Sequence, residues 1–154
     1  MGLETLIEYA NAQYAAKGIA QIQKVSTPWK VIRNGKQIVS AFPEKKSTVD
    51  YIGDYEGHSI CFEAKSTENK TSFPLSNFEA HQIVFMHKWK GIKFAIIEFT
   101  THKETYFIPF DYLFARYTDS KSIPYKWIAE HPRIGSGNGV SLDYLKHIDL
   151  SEVG

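Results

Sequence analysis

The chain has 154 residues, a formal net charge of +1, an apolar content of 43% and a single cysteine. That length suits one domain with a real core and leaves little room for two. The lone Cys61 excludes an internal disulfide framework and a cysteine-based zinc cluster, no apolar run approaches membrane-spanning length, and the N-terminus lacks the basic and apolar regions of a signal peptide. A single domain over residues 1–154 in an intracellular, cytoplasmic protein is the expectation, with Cys61 packed as a small buried residue.

The near-zero net charge conceals an asymmetry. Lys17, Lys24, Lys30, Arg33, Lys36, Lys45 and Lys46 stand against the lone acid Glu44 between residues 17 and 46, about one fifth of the chain. Such a surface suits a polyanion, and it equally describes a solvated lysine-rich face.

Residues 2–17 read as a helix, because Leu3, Ile7, Ala10 and Tyr14 recur on one face and Gly18 is a natural stop. Glu4, Glu8 and Asn11 form a polar stripe beside it, and the helix dipole alone accounts for an acid at Glu4. Residues 19–25 read as a strand ended by Thr27-Pro28. Residues 29–40 predict a hairpin turning at Asn34-Gly35, with positive φ at both central positions and with Arg33 opposite Lys36 at the tip. A bound phosphate would relieve that like-charge pair, and an exposed tip tolerates it without one.

Residues 47–52 and 60–65 read as two strands folded together by Gly53-Asp54-Tyr55-Glu56-Gly57-His58. Alternation puts Ile60, Phe62 and Ala64 on one face of the second strand, and Cys61, Glu63 and Lys65 on the other. A turn centred on Glu56-Gly57 sets Asp50 opposite Glu63. Residues 66–74 read as a polar loop with Lys70 exposed. A helix then starts at Ser76, with Glu79 completing a capping box, and ends before Gly91, carrying His81 and Gln82. Residues 92–99 and 104–108 are further strands, 111–117 a short helix capped by Asp111, and 123–130 another short segment. A Gly-rich loop at 134–139 and an apolar stretch at 142–148 close the chain. The order helix, sheet, helix, sheet predicts an α/β fold, a mixed central β-sheet flanked by helices.

Asp50 with Glu63-x-Lys65 on an adjacent strand is the arrangement that a magnesium-dependent phosphodiesterase needs. Hard oxygen ligands hold the cation, and a lysine steadies the attacking oxygen and the charge on the pentacovalent phosphorus. With no imidazole or thiolate placed among them, magnesium fits better than zinc, and manganese is acceptable.

Ser47-Thr48-Val49-Asp50-Tyr51, Phe62-Glu63-Ala64-Lys65, Asn69-Lys70-Thr71-Ser72-Phe73-Pro74-Leu75, Asn77-Phe78 and His81-Gln82 follow one another in an order that resembles the RecU-type Holliday junction resolvases. These belong to the PD-(D/E)XK nuclease superfamily. The likeness includes Leu3-Glu4, Asn11, Tyr14 and Thr27-Pro28, covers the chain to about Phe110, and weakens beyond. It implies a restriction-endonuclease-like core in which Asp50 and Glu63 bind the metal, the Ala64 carbonyl is a further ligand, and Thr48 supports the pocket. It also implies that Lys65 positions the nucleophilic water, that Glu4 is an additional acid, and that Gln82 helps to orient water or phosphate. The 29–40 hairpin falls where the family carries a protruding stalk that enters the junction. Lys30, Arg33, Lys36, Lys45, Lys46, Lys70 and His81 become candidate DNA contacts.

The resemblance thus implies a structure-selective endonuclease for four-way DNA junctions, working as a homodimer with one site per subunit. Phe94, Ile96, Phe107 and Phe110 are candidates for the dimer contact. The alternatives are a superfamily nuclease that cuts duplex DNA and a junction-binding protein that does not cut. Two departures stand out: the basic N-terminal arm of longer relatives has no counterpart before the first helix, and Val49 replaces the superfamily's proline.

Overall fold

The structure is a computed structural model that describes residues 1–26, 29–43 and 49–152. Helix α1 (Leu3–Ala16) buries Leu3, Ile7, Ala10 and Tyr14, and Gly18 at φ 71° supplies the left-handed residue that stops it. A five-stranded sheet follows in the order β1 (Ala20–Lys24), β4 (Tyr51–Tyr55), β5 (His58–Thr67), β7 (Ile92–Phe99) and β8 (Glu104–Pro109). β5 and β7 run parallel and the other neighbours antiparallel, so the sheet is mixed.

The Glu56-Gly57 turn is as read. Both residues have positive φ, and Tyr51 pairs with Phe62. β1 and β4 approach so closely at Gly53 that a Cβ there would stand 2.1 Å from the Gln21 carbonyl oxygen.

β5 is buried on both faces. Ile60 and Phe62 join α1 and the C-terminal residues Leu142, Tyr144 and Leu145 in one core. Cys61 belongs to the other core, with Met86, Ala95, Ile97 and Leu113. Burial pushes the Cys61 thiol up to about 12, in keeping with a packing role. Across the first face the rings of Tyr51, Phe62, Phe94 and Phe107 stack in sequence at 4.8, 4.7 and 4.5 Å. Phe94, Ile96, Phe107 and Phe110 are all buried in these cores, so the dimer contact assigned to them from sequence is wrong: they hold the subunit together.

Helix α2 (Ala80–Lys88) begins later than expected. Leu75–Asn77 forms a single 3-10 turn, Phe78 is extended, and Glu79 is the N-cap of a box closed by Gln82, one turn beyond the predicted Ser76-Glu79 box. Phe78 is the physical reason. Its ring is buried against Phe73 at 5.6 Å, which holds the chain extended there. Residues 66–74 are likewise not all loop, because β5 runs to Thr67 and β6 (Ser72–Pro74) pairs with β9 (Ser122–Pro124). α3 (Phe110–Asp119) is capped at Pro109 rather than Asp111. α4 (Tyr125–Ile128) is short, and the C-terminal stretch carries 3-10 turns at Leu145–His147 and Leu150–Glu152.

β2 (Trp29–Asn34) and β3 (Gln37–Pro43) form a separate two-stranded sheet. Its turn is one residue later than read: Asn34 pairs with Gln37, and Gly35 at φ 64° supplies the positive φ at the first central position. Arg33 therefore lies opposite Ile38 and Lys36 sits in the turn, while a bulge between Ile32 and Arg33 shifts the register only in the part of the hairpin further from the tip. The like-charge pair expected at the tip is therefore not formed. Arg33 and Lys36 are exposed, as are Ile32, Ile38 and Val39.

Asn11 is a further correction. It is buried, and its Oδ1 accepts a hydrogen bond from the Tyr144 hydroxyl. Beside it the Tyr14 hydroxyl donates to Asp143 Oδ1 at 2.7 Å, and Asn138 Nδ2 donates to Asp143 Oδ2 at 2.8 Å. The C-terminal segment is thus bound to α1 by buried polar contacts between residues 129 and 133 apart in sequence.

Candidate active site

β4 stops pairing with β5 at Tyr51 and Phe62, and the carboxylates lie where this edge of β5 opens. The Asp50 backbone N–H donates to Glu63 Oε1 at 2.8 Å, and the Ala64 N–H donates to Asp50 Oδ2 at 3.0 Å. A strand residue points its N–H and C=O toward the same edge. The Ala64 carbonyl therefore faces the side on which Asp50 stands. Lys65 shares a face with Glu63, as alternation requires, and its Nζ lies 3.8 Å from Glu63 Oε2. The same Nζ lies 5.9 Å from the centre of the Phe78 ring.

From the α2 side, Gln82 Nε2 donates to Glu63 Oε2 at 2.9 Å, while Gln82 Oε1 accepts the Glu79 backbone N–H at 3.0 Å. From the α1 side, Glu4 comes to the same end of the sheet. It lines a cleft of about 240 Å³ with Gly2, Leu3, Lys24, Asp50, Tyr51, Ala64 and Ser66. Glu4 forms an ion pair with Lys24. Lys24 enters the site through that pair, a connection that sequence reasoning missed because the two residues sit on different elements with no local spacing between them.

Glu63 is wholly buried. Burial first, and the neighbouring Asp50 carboxylate second, push its carboxyl up to about 9, against the pull of Lys65. Two carboxyl groups this close, one without water, are costly unless positive charge stands beside them. Lys65 supplies part of that charge.

The oxygen-only donor set of Asp50, Glu63 and the Ala64 carbonyl fits a hard cation, and the side-chain nitrogens beside it, the Gln82 amide at 2.9 Å and the Lys65 ammonium at 3.8 Å from Glu63, are hydrogen-bond donors rather than ligands. Among the described residues no three carboxylate, imidazole or thiol groups converge into a cage.

The remaining predicted residues fall elsewhere. Lys70 is exposed, and its carbonyl is hydrogen-bonded to His102 Nε2 at 2.8 Å. His81 is half-buried, with Nδ1 3.2 Å from Glu79 Oε2. Thr48, Lys45 and Lys46, together with the side chain of Lys30, lie outside the described residues.

The chain belongs to the RecU family: the family model described as Recombination protein U matches residues 1–150. A Holliday junction resolvase RecU of Streptococcus equi subsp. zooepidemicus is 43% identical over 143 residues, which cover 85% of this chain and 71% of that protein. The proteins of the same description from Leuconostoc citreum and Streptococcus sanguinis are 41% and 39% identical, with 97% and 99% of this chain covered and 79% and 80% of theirs. The match reaches well past Phe110, where the motifs read from sequence thin out.

Proposed function

We propose that this protein is a structure-selective endodeoxyribonuclease that resolves four-way (Holliday) DNA junctions by hydrolysing phosphodiester bonds with Mg²⁺, or Mn²⁺ in its place. The observation that carries the reading is the convergence of Asp50, Glu63, Lys65 and Gln82 at one open edge of β5, beside the cleft that Glu4 lines, in a member of the RecU family. Relatives that are 39–43% identical bear the description Holliday junction resolvase.

Asp50, Glu63 and the Ala64 carbonyl would hold the cation, with Glu4 and Thr48 supporting the pocket. When bound, the cation supplies positive charge that polarises the phosphate and acidifies the attacking water. Lys65 holds its ammonium beside Glu63, where it steadies the incoming oxygen and the charge that builds on the phosphorus. Gln82 keeps one oxygen of Glu63 in place, and the Asp50 N–H keeps the other.

The finer picture is a restriction-endonuclease-like core with β2 and β3 as a stalk that enters the junction, bringing Arg33 and Lys36 to phosphates. Lys30, Lys45, Lys46, Lys70 and His81 add to the DNA surface. Two symmetric cuts call for a two-fold homodimer acting in the cytoplasm.

The test uses a labelled four-way junction and a matched linear duplex, with Mg²⁺ or with chelator, alongside Asp50→Asn. Paired nicks in the junction alone, dependent on the cation and lost in the variant, are expected. Equal cutting of the duplex would remove the junction selectivity, and no cutting of either substrate would remove the nuclease reading.

A further inference from the structure

An amide side chain can present either its oxygen or its nitrogen to a neighbour, and the two ends are nearly the same size. Which end Gln82 turns to Glu63 matters. The NH2 end donates to Glu63 Oε2, whereas the oxygen end would set two acceptors against each other, in a space closed to water, whenever Glu63 is ionised as a cation ligand must be. The choice is made by a third group. Glu79 is the N-cap of α2, and its backbone N–H is one of the donors that a helix N-terminus leaves without an intrahelical acceptor. That N–H takes Gln82 Oε1 at 3.0 Å, which leaves Nε2 to reach Glu63 at 2.9 Å.

A capping box is ordinarily a device of helix stability. Here its N3 side chain is also a partner of the buried acid, so the box and the site share one residue.

We propose that the backbone N–H of Glu79 is a positioning group for the nuclease site, fixing the polarity of the Gln82 amide so that Glu63 always meets a donor. The proposal rests on the nuclease reading above and deepens it. The Glu79 carboxylate has no part in the lock. It serves the other half of the box and faces His81 Nδ1 at 3.2 Å.

The backbone permits a test aimed at the N–H alone. Glu79 has φ −82°, close to the proline value, and Phe78 before it is extended at φ −88°, ψ 132°, the conformation that a following proline prefers. Glu79→Pro thus removes the donor and puts a ring carbon where it pointed. Glu79→Ala keeps the donor and removes the carboxylate. A semisynthetic protein with an ester in place of the Phe78–Glu79 amide removes the donor with no ring, and it serves if the proline variant fails to fold.

Four quantities are measured: the single-turnover rate, the junction affinity, the Mg²⁺ concentration that half-saturates the thermal shift, and the exchange protection of the Gln82 side-chain amide by NMR. With the donor gone, the rate should fall about tenfold at unchanged junction affinity, the half-saturating Mg²⁺ should rise several-fold, and the protection should be lost. Glu79→Ala should keep its rate within about twofold and retain the protected amide, although it melts earlier. A wild-type rate and Mg²⁺ response without the N–H would overturn the proposal. So would an equal loss in Glu79→Ala, which would put the effect on helix capping. Failure of the wild-type protein to cut or to respond to Mg²⁺ would instead fall on the nuclease reading, and the amide signal would still report whether the lock exists.

Discussion

The two faces of the central sheet each bury polar side chains, and they treat them in opposite ways. Under α1, the Tyr14 hydroxyl and Asp143 satisfy one another, with the exposed Asn138 donating to Asp143 from the rim, and Tyr144 satisfies Asn11. Under α2, Glu63 is surrounded by donors yet remains an acid held far above its ordinary range, beside a second carboxylate at an open sheet edge. A closed polar cluster specifies how chain segments meet. An acid kept under electrostatic tension next to a cleft is set up to meet something that is not part of the chain.

Substitutions should separate the two faces. The largest effect belongs to Asp50→Asn and Glu63→Gln, each expected to lower junction cleavage at least about a thousandfold while leaving the melting temperature in chelator unchanged or raised. A large loss of stability in either would mean that the carboxylates serve the fold. Asp143→Ala on the opposite face should do the reverse. It leaves the buried Tyr14 hydroxyl without its acceptor and should cost about 2 kcal/mol in urea unfolding. The protein that remains folded should cut at close to the normal rate. A selective loss of cutting with stability intact would erase the contrast.

The pH dependence should sharpen the contrast further. Glu63 has a folded-state value raised toward 9 from its ordinary 4.5, so the folded state binds the proton more tightly than the unfolded state. That contribution to stability is fully present below about pH 4.5 and is lost as pH rises through the folded value. In chelator the protein should therefore lose stability between those limits, and Glu63→Gln should flatten the decline. An unchanged slope in the variant would show that the acid is not held as described. The smallest effect is at Cys61. Buried and with its thiol pushed up to about 12, it should react with a thiol reagent only as fast as the protein unfolds, at neutral pH and with full activity retained.

Much of the α2-side site was legible because its signals are local. Glu56-Gly57 sets the register of β4 on β5, register places Asp50 by Glu63, and alternation places Lys65. The start of α2 was misjudged because Ser76-x-x-Glu79 and Glu79-x-x-Gln82 are both plausible boxes. The burial of Phe78, a tertiary fact, decides between them. The hairpin tip was misjudged for a smaller reason: the central turn residues are Gly35 and Lys36 rather than Asn34 and Gly35, and the single glycine suits either placement. The α1-side cluster was not legible at all. Asn11 reads as one more polar residue on an amphipathic helix, and its partner Tyr144 lies 133 residues away. Glu4 was ambiguous until the cleft brought it to Asp50, since the helix dipole would account for it alone.

The bond between α1 and the C-terminal segment also bears on the order of events during synthesis. Asp50, Glu63 and Lys65 leave the ribosome long before Asp143 and Tyr144 do, and until those two arrive the helix that carries Glu4 has no lock at its far end. Chains are made at roughly 5–20 residues per second. The acid on α1 is therefore secured only after the segment with Asp143 and Tyr144 has emerged, and a chain cut short before that segment would hold most of the candidate site residues without the clasp that fixes α1.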